Sequence, residues 1–349
     1  MDKQATVTPK AESNLLGLTP EDYKGRPSTL CPGCGHNMVS NQIQAAVFEL
    51  GLLPEKVVKI SGIGCSSKSP NYFLQRSFGF NGLHGRMPTI ATGAAFADRT
   101  MKIIGISGDG DSASIGLGHF KHIVRRNVPM VYIIENNGVY GLTKGQFSAT
   151  TDYGLELKHQ GKNWLPPLDL CMEALISGAT FVARSFAGDA KQLKELIKAA
   201  IVHNGISVID VISPCVTFNN KDEALQSYNW GRQHEDPIQE IKFAYRKDVA
   251  DLEHFEEGTV KEVILPDDSV ILLKKIKRDY DPTDQSAALD LLTESYKNKY
   301  FATGLIYINN DTPTVFEHYN LAETPLNRTP NDLLRPSCKM LAQINASLA

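Results

Sequence analysis

The sequence predicts an α/β protein: a parallel sheet with helices on both faces, plus a β-rich C-terminal extension. Three observations carry this. The runs VVKIS (57–61), KIIGIS (102–107), PMVYIIE (129–135) and SVIDVIS (207–213) are apolar without alternation, as strands buried on both faces are. Helix-length segments separate them, the order of a βα pattern. Most of the runs are followed by Gly, Asn or Pro. A chain of 349 residues that is 42% apolar has material for an ordinary core.

Residues 1–30, polar and broken by Pro9, Pro20 and Pro27, read as an extended arm. After the CPGCG turn, a helix is expected from about Asn37 to Leu50, closing at Gly51. The strand 57–61 leads into Gly62-Ile63-Gly64-Cys65. A Gly/Ala-rich helix (89–99) precedes the strand 102–107, the turn GDG, a helix of about 112–126, and the strand 129–135 ending at Asn136-Asn137. Strands at 179–185 and 207–213 flank a helix over 189–203. This places one unit over 31–235 and an extension over 236–349, with a hairpin at 260–276 around Pro-Asp-Asp and a second at 302–319 around Asn-Asn-Asp. Two hairpins are too little for an independent core, so the extension is expected to pack on the main unit or on a partner.

Composition narrows the function. Lys and Arg number 36 against 39 Asp and Glu, a formal charge of −3, and no basic block argues for nucleic acid. No apolar run approaches the ~18–20 residues that span a bilayer. The N-terminus lacks a secretion signal, so a cytoplasmic location is expected. Six cysteines are too few for a disulfide scaffold, and Cys31-Pro-Gly-Cys34 reads as metal or redox chemistry.

Asp109 lies between Gly108 and Gly110 directly after a buried strand, and Asn137 ends the next strand 28 residues later, one βαβ unit on. Both side chains therefore emerge at the carboxyl edge of the sheet, where open α/β folds bind ligands. A carboxylate, an amide oxygen and a backbone carbonyl suit Mg²⁺, which takes its remaining oxygens from phosphates and water. Gly108 and Gly110 admit phosphates close to the backbone, and the helix start at Asp111-Ser112 offers N–H donors. GDG alone is an ordinary strand-end turn; its pairing with Asn136-Asn137-Gly138 at this spacing weakens that reading. No Gly-x-Gly-x-x-Gly follows a strand, and Gly141-Leu142-Thr143-Lys144 lacks a P-loop ending.

Cys31 and Cys34 flank a tight Pro-Gly turn, while Cys65 and Cys215 each follow a strand. Four converging thiolates suit zinc or a 4Fe–4S cluster, and ligand type alone leans slightly to zinc. A dithiol redox pair is a third reading.

Together these segments resemble a known family. GDG with a distal NN resembles the diphosphate motif of thiamine-diphosphate enzymes. The stretch from Gly108 to Thr150, with CPGCGH, GIGCSS and HGR (84–86) in the same order, is similar to the β subunit of 2-oxoacid:ferredoxin oxidoreductases over about residues 25–230. The resemblance implies that Asp109, Asn137 and the Val139 carbonyl hold Mg²⁺ on thiamine diphosphate. It further implies cofactor contacts from Gly64, Cys65, Ser66, Gly108, Gly110, Asp111, Gly141, Leu142 and Thr143. It assigns Cys31, Cys34, Cys65 and Cys215 to one 4Fe–4S cluster, consistent with a cofactor whose electrons must leave singly; zinc has no redox chemistry. Cys171 and Cys338 are left as ordinary buried or partly buried thiols. The resemblance favours active-site roles for His84 and Arg86, and places Lys68 and Leu142 among substrate-discriminating positions. A lysine there suits 2-oxoglutarate. Ala149 stands where the family often has proline. The expected partners are an α subunit supplying the glutamate that protonates the aminopyrimidine, ferredoxin, coenzyme A and a 2-oxoacid, in a hetero-oligomer such as a dimer of αβ. The chain should be half an active site.

Overall fold

A central sheet of eight strands carries the molecule. Its members are β1 (Val57–Ser61), β2 (Phe78–Asn81), β3 (Lys102–Gly108), β4 (Met130–Asn136), and the strands Phe181–Phe186, Ile206–Ile212, Glu235–Pro237 and Phe301–Ile308. The structure, a computed structural model, describes residues 13–158, 160–245, 260–276 and 279–348. The first twelve residues of the expected arm lie outside them. From one edge the order is 235–237, 301–308, 181–186, 206–212, β4, β3, β1, β2. The six strands from 181–186 to β2 run parallel, and 301–308 joins antiparallel to 181–186. Every residue of β1, β4, 181–186 and 206–212 is buried, which is why their sequences do not alternate.

Two apolar layers sandwich the sheet. On one face α1 (Gly35–Glu49) and the helix Ala190–Val202 bring Val39, Ile43, Leu193 and Ile197 against Ile104, Ile133 and Ile209. On the other, α2 (Met87–Ala97) and α3 (Leu117–Arg125) bring Met87, Ala91, Phe120 and Ile123 against Ile60, Ile134 and Val208. The alternation of Ile103 and Ile104 between the two layers is the period-2 geometry of a strand.

The single helix expected over 112–126 is in fact broken. Gly110–Ile115 winds as a wide π turn before α3 begins, a distortion that recurs at functional sites. The hairpin at 260–276 forms, as Val260–Ile264 against Ser269–Lys275, with Gln239–Tyr245 as third strand. This small sheet lies over the helix 190–202, where Glu195 accepts from the Phe243 N–H at 2.8 Å. The expected second hairpin, 302–319, does not form. Its first half is the strand 301–308, but Thr314-Val-Phe-Glu317 is a capping box that starts a short helix, Val315–His318. The β-branched and aromatic residues there mimic a strand, and the cap decides otherwise. An unexpected helix, Gln285–Asn298, is capped by Asp284.

Residues 13–30 are pinned rather than freely extended. Tyr23 is fully buried, accepts from Asn14 Nδ2 at 2.8 Å and meets Phe48 edge-on. At the other terminus, Asn331–Leu334 and Cys338–Leu348 bury no residue, so Cys338 is exposed rather than partly buried as expected. Cys171 is buried. Among the described residues no helix is long and apolar enough to cross a membrane.

Candidate active site

Four neighbouring strands end at one edge of the sheet, and each delivers a motif residue. Cys215 follows 206–212, Asn137 follows β4, Asp109 follows β3 and Cys65 follows β1. The CPGCG turn joins them because α1 starts against the end of strand 206–212. Gly35 N–H donates to the Pro214 carbonyl at 3.2 Å. A Cβ on Gly35 would lie 2.5 Å from Ser213 Oγ and 2.8 Å from the Ser213 carbonyl carbon, so only glycine permits this approach. Cys34 is thereby the N-cap of α1, and Cys31 accepts from Thr217 Oγ1 at 3.4 Å.

A cleft opens at this edge. Its walls include Gly64, Cys65 and Ser66 from the first turn, and Gly108, Asp109, Gly110 and Asp111 from the second. Asn137, Val139, Gly141, Leu142 and Thr143 come from the third, and His84 closes one side. His36, Ile63, Glu135 and Tyr140 also line it and were not expected. Arg86 lies outside the lining, its guanidinium on the carbonyls of Gly85 (3.2 Å) and Ile115 (3.4 Å). Lys68 also lies outside, one turn from Cys65, with its N–H on the Cys65 carbonyl at 3.1 Å. A larger recess of about 700 Å³ at the opposite edge, under Lys102 and His203, holds none of the motif residues.

Asp109 is buried, and burial holds its carboxyl above the usual range. Its donors are all neutral: Thr150 Oγ1 lies 2.9 Å from one oxygen and the Asn137 N–H 3.4 Å from the other. A buried carboxylate without a cationic neighbour fits a hard cation. The Asn137 amide is held from two sides. Its oxygen accepts from the Val139 N–H at 3.1 Å, and its nitrogen donates towards His36 Nε2 at 3.4 Å. With Nε2 accepting, His36 carries its hydrogen on Nδ1 and donates to Ser213 Oγ at 2.7 Å. Burial lowers this imidazole to about 4, so the ring is neutral. Glu135 is wholly buried and pushed well above the carboxylate range by burial; Ser69 Oγ lies 2.9 Å from both its oxygens. The sequence signals for both were faint: a His closing CPGCGH, and one acid in the apolar run of β4.

The four cysteines gather beside this cleft. Cys65 Sγ and Cys215 Sγ each lie 3.6 Å from where a Cβ on Gly141 would sit, so they are at most 7.2 Å apart. Burial pushes the Cys34 thiol up to about 12, and the nearby Glu135, Cys215 and Cys65 add to it. Burial and the other thiols raise Cys65 and Cys215 likewise. Ionising the set therefore needs positive charge among the sulfurs, which fits a metal centre. Among the described residues no three His, Cys, Asp or Glu side chains close tightly enough to hold a single ion. The loop departure is also explained: the Ala149 N–H donates to Ser114 Oγ at 3.1 Å, a bond proline cannot make.

Residues 62–211 match the thiamine pyrophosphate enzyme, C-terminal TPP binding domain. A 2-oxoacid:ferredoxin oxidoreductase subunit beta from Saccharolobus solfataricus is 48% identical over 191 residues, 54% of this chain. The chain spans 63% of the length of that relative and of a Sulfolobus homologue. The 2-oxoglutarate synthase subunit KorB of Methanocaldococcus jannaschii is 37% identical over 62% of this chain and 77% of its own. A solved structure decides the matter: a chain of the 2-oxoglutarate:ferredoxin oxidoreductase from Magnetococcus marinus superposes with a TM-score of 0.73 at 31% identity, covering 97% of this chain and 99% of that one. The chain belongs to the β-subunit family of the 2-oxoacid:ferredoxin oxidoreductases. That structure was solved with 2-oxoglutarate, coenzyme A and succinyl-CoA bound. Within this β-subunit family, the matched thiamine-binding domain begins directly after β1 and contains β3 and β4, and so Cys65, Asp109 and Asn137.

Proposed function

We propose that this chain is the thiamine-diphosphate and 4Fe–4S subunit of an enzyme converting 2-oxoglutarate and coenzyme A to succinyl-CoA and CO₂, with ferredoxin taking the electrons, or the reverse. One observation carries the reading: Cys65 belongs both to the wall of the cleft and to the group of four cysteines. Bound thiamine diphosphate supplies the nucleophilic carbon and electron sink, and a 4Fe–4S cluster takes electrons singly. Asp109, Asn137 and the Val139 carbonyl hold Mg²⁺ on the diphosphate, while Gly108 and Gly110 let it approach the backbone. Cys31, Cys34, Cys65 and Cys215 hold the cluster, whose cubane needs more room than one ion. Ile63 and Leu142, exposed apolar residues of the cleft lining, offer a surface on which an α subunit closes the site and excludes water.

Lys68 selects the substrate by meeting the distal carboxylate of 2-oxoglutarate. It is half-buried beside Cys65 and has no ion-pair partner among the described residues. Such a charge-assisted bond contributes on the order of 1.5–3 kcal/mol. Lys68→Met in the assembled enzyme should therefore lower kcat/KM for 2-oxoglutarate roughly 10–150-fold and barely touch 2-oxobutyrate. Equal losses would remove 2-oxoglutarate in favour of pyruvate or a broad range. Iron and acid-labile sulfide in the purified protein, with CoA-dependent ferredoxin reduction, test the wider reading. A zinc-only protein, or a lyase that reduces no ferredoxin, would overturn it.

A further inference from the structure

We propose that Asp111 and His84 form a carboxylate–imidazole dyad, in which Asp111 orients the ring so that its Nε2 exchanges a proton with the substrate's 2-oxo oxygen. The substrate in this statement rests on the function proposed above; the dyad rests on geometry. Asp111 is almost fully buried in the wall of the cleft. One of its oxygens accepts from His84 Nδ1, from the Gly85 N–H at 2.6 Å and from the Ile63 N–H at 3.3 Å. The other accepts from Ser107 Oγ at 2.7 Å. The backbone makes room for it: a Cβ on Gly62 would lie 1.9 Å from that second oxygen.

His84 is differently placed, 31% exposed and lining the cleft. Tyr140 stands edge-on to its ring at 5.8 Å, and Tyr140 is itself fixed by donating to the Gly110 carbonyl at 3.0 Å. With Nδ1 committed to the wall, Nε2 on the far side of the ring is the nitrogen left for chemistry. No protein group bonds to it among the described residues. This is the division of labour that a buried acid and a half-exposed histidine show where imidazole moves protons. Protonated at both nitrogens, the ring would give its Nε2 proton to the 2-oxo oxygen as that oxygen takes up the π pair displaced when the carbonyl carbon bonds to the nucleophilic carbon that bound thiamine diphosphate would supply. The ring is left neutral, with its remaining hydrogen on Nδ1 facing Asp111. His84 is then a catalytic residue and Asp111 a positioning one. The competing role for Asp111 is a clasp that merely ties the loops at Ile63 and Gly85 to the GDGD turn.

Two measurements separate these. In the full chain labelled with ¹⁵N-histidine, the His84 signals, assigned by their loss in His84→Gln, should report hydrogen on Nδ1. Asp111→Ala removes the acceptor and should free the hydrogen to move to Nε2, whereas Asp111→Asn, whose amide oxygen the Gly85 and Ile63 N–H groups hold against His84, should leave it on Nδ1. In the enzyme assembled with its partner subunit, His84→Gln should lower kcat roughly 10²–10⁴-fold with little change in KM. Asp111→Ala should fall to a similar level, and the double variant no further, because the pair acts as one unit. An Nε2–H tautomer in the wild type, a kcat for His84→Gln within about threefold of wild type, or multiplying losses would each overturn the dyad. Should Asp111→Ala not fold, the wild-type tautomer and the His84→Gln rate decide alone. An assembly that turns over no 2-oxoacid would sink the function while leaving the tautomer to judge the dyad.

Discussion

Asp152 shows how much one buried carboxyl governs. One oxygen accepts from the Leu225 N–H at 2.9 Å, and the other has no hydrogen-bond partner. Burial pushes this carboxyl from 3.8 up to about 6. Between those values the unfolded chain has lost the proton while the folded chain keeps it, so this group's contribution to stability is fully present below pH 3.8 and is lost as pH rises through 6. The shift corresponds to on the order of 2–3 kcal/mol. Asp152→Asn should therefore raise Tm at pH 7.5 and flatten the fall between pH 4 and 6 in thermal melts; an unchanged pH profile would refute it. A second residue-scale prediction separates the two cofactor sites. Asp109→Ala should abolish thiamine diphosphate binding by calorimetry while iron content is unchanged, and Cys31→Ser should deplete iron while the diphosphate site survives. Residues of this kind differ in how legible they were. Asp109 and Asn137 announce themselves by following apolar strands at βαβ spacing. His36, Glu135 and Tyr140 do not, because what brings each to the cleft is a tertiary contact: Ser213 against His36, Ser69 against Glu135, the Gly110 carbonyl against Tyr140.

The elements divide in the same way. Strands β1, β3 and β4 were readable within a residue or two, since burial on both faces leaves an unbroken apolar run. The strand 301–308 was recognised as a strand but paired wrongly, because nothing local says that its partner lies over a hundred residues earlier, at 181–186. That pairing has a testable cost. Ala302, Leu305, Ile306 and Ile308 are all buried in the main sheet. Ending the chain at residue 300 would delete them, leaving cavities in the core and an open edge on strand 181–186, so the product should be aggregated or should melt without a cooperative transition. Ending it at residue 337 removes a helix that buries nothing, and Tm should stay within about a degree or two. A stable, soluble chain ending at 300 would show that 301–308 is dispensable.

At the scale of the whole molecule, the cleft leaves the apolar side chains of Ile63 and Leu142 exposed, as an unfinished enclosure does. The isolated chain, even with its cluster loaded, should bind thiamine diphosphate weakly and turn nothing over, and activity should appear in proportion to added α subunit. Full activity from this chain alone would contradict the reading. The same architecture binds two properties that an engineer would wish to adjust independently. Lys68 sits one turn beyond Cys65 on a shared hydrogen bond, and its charge lowers the pKa of that thiol. Retuning substrate preference by changing residue 68 therefore also withdraws a positive charge from beside the sulfur, which makes a bound centre harder to reduce. On the proposed function, diet and voltage would be set by one short turn, and a change to the first would have to be offset in the second elsewhere.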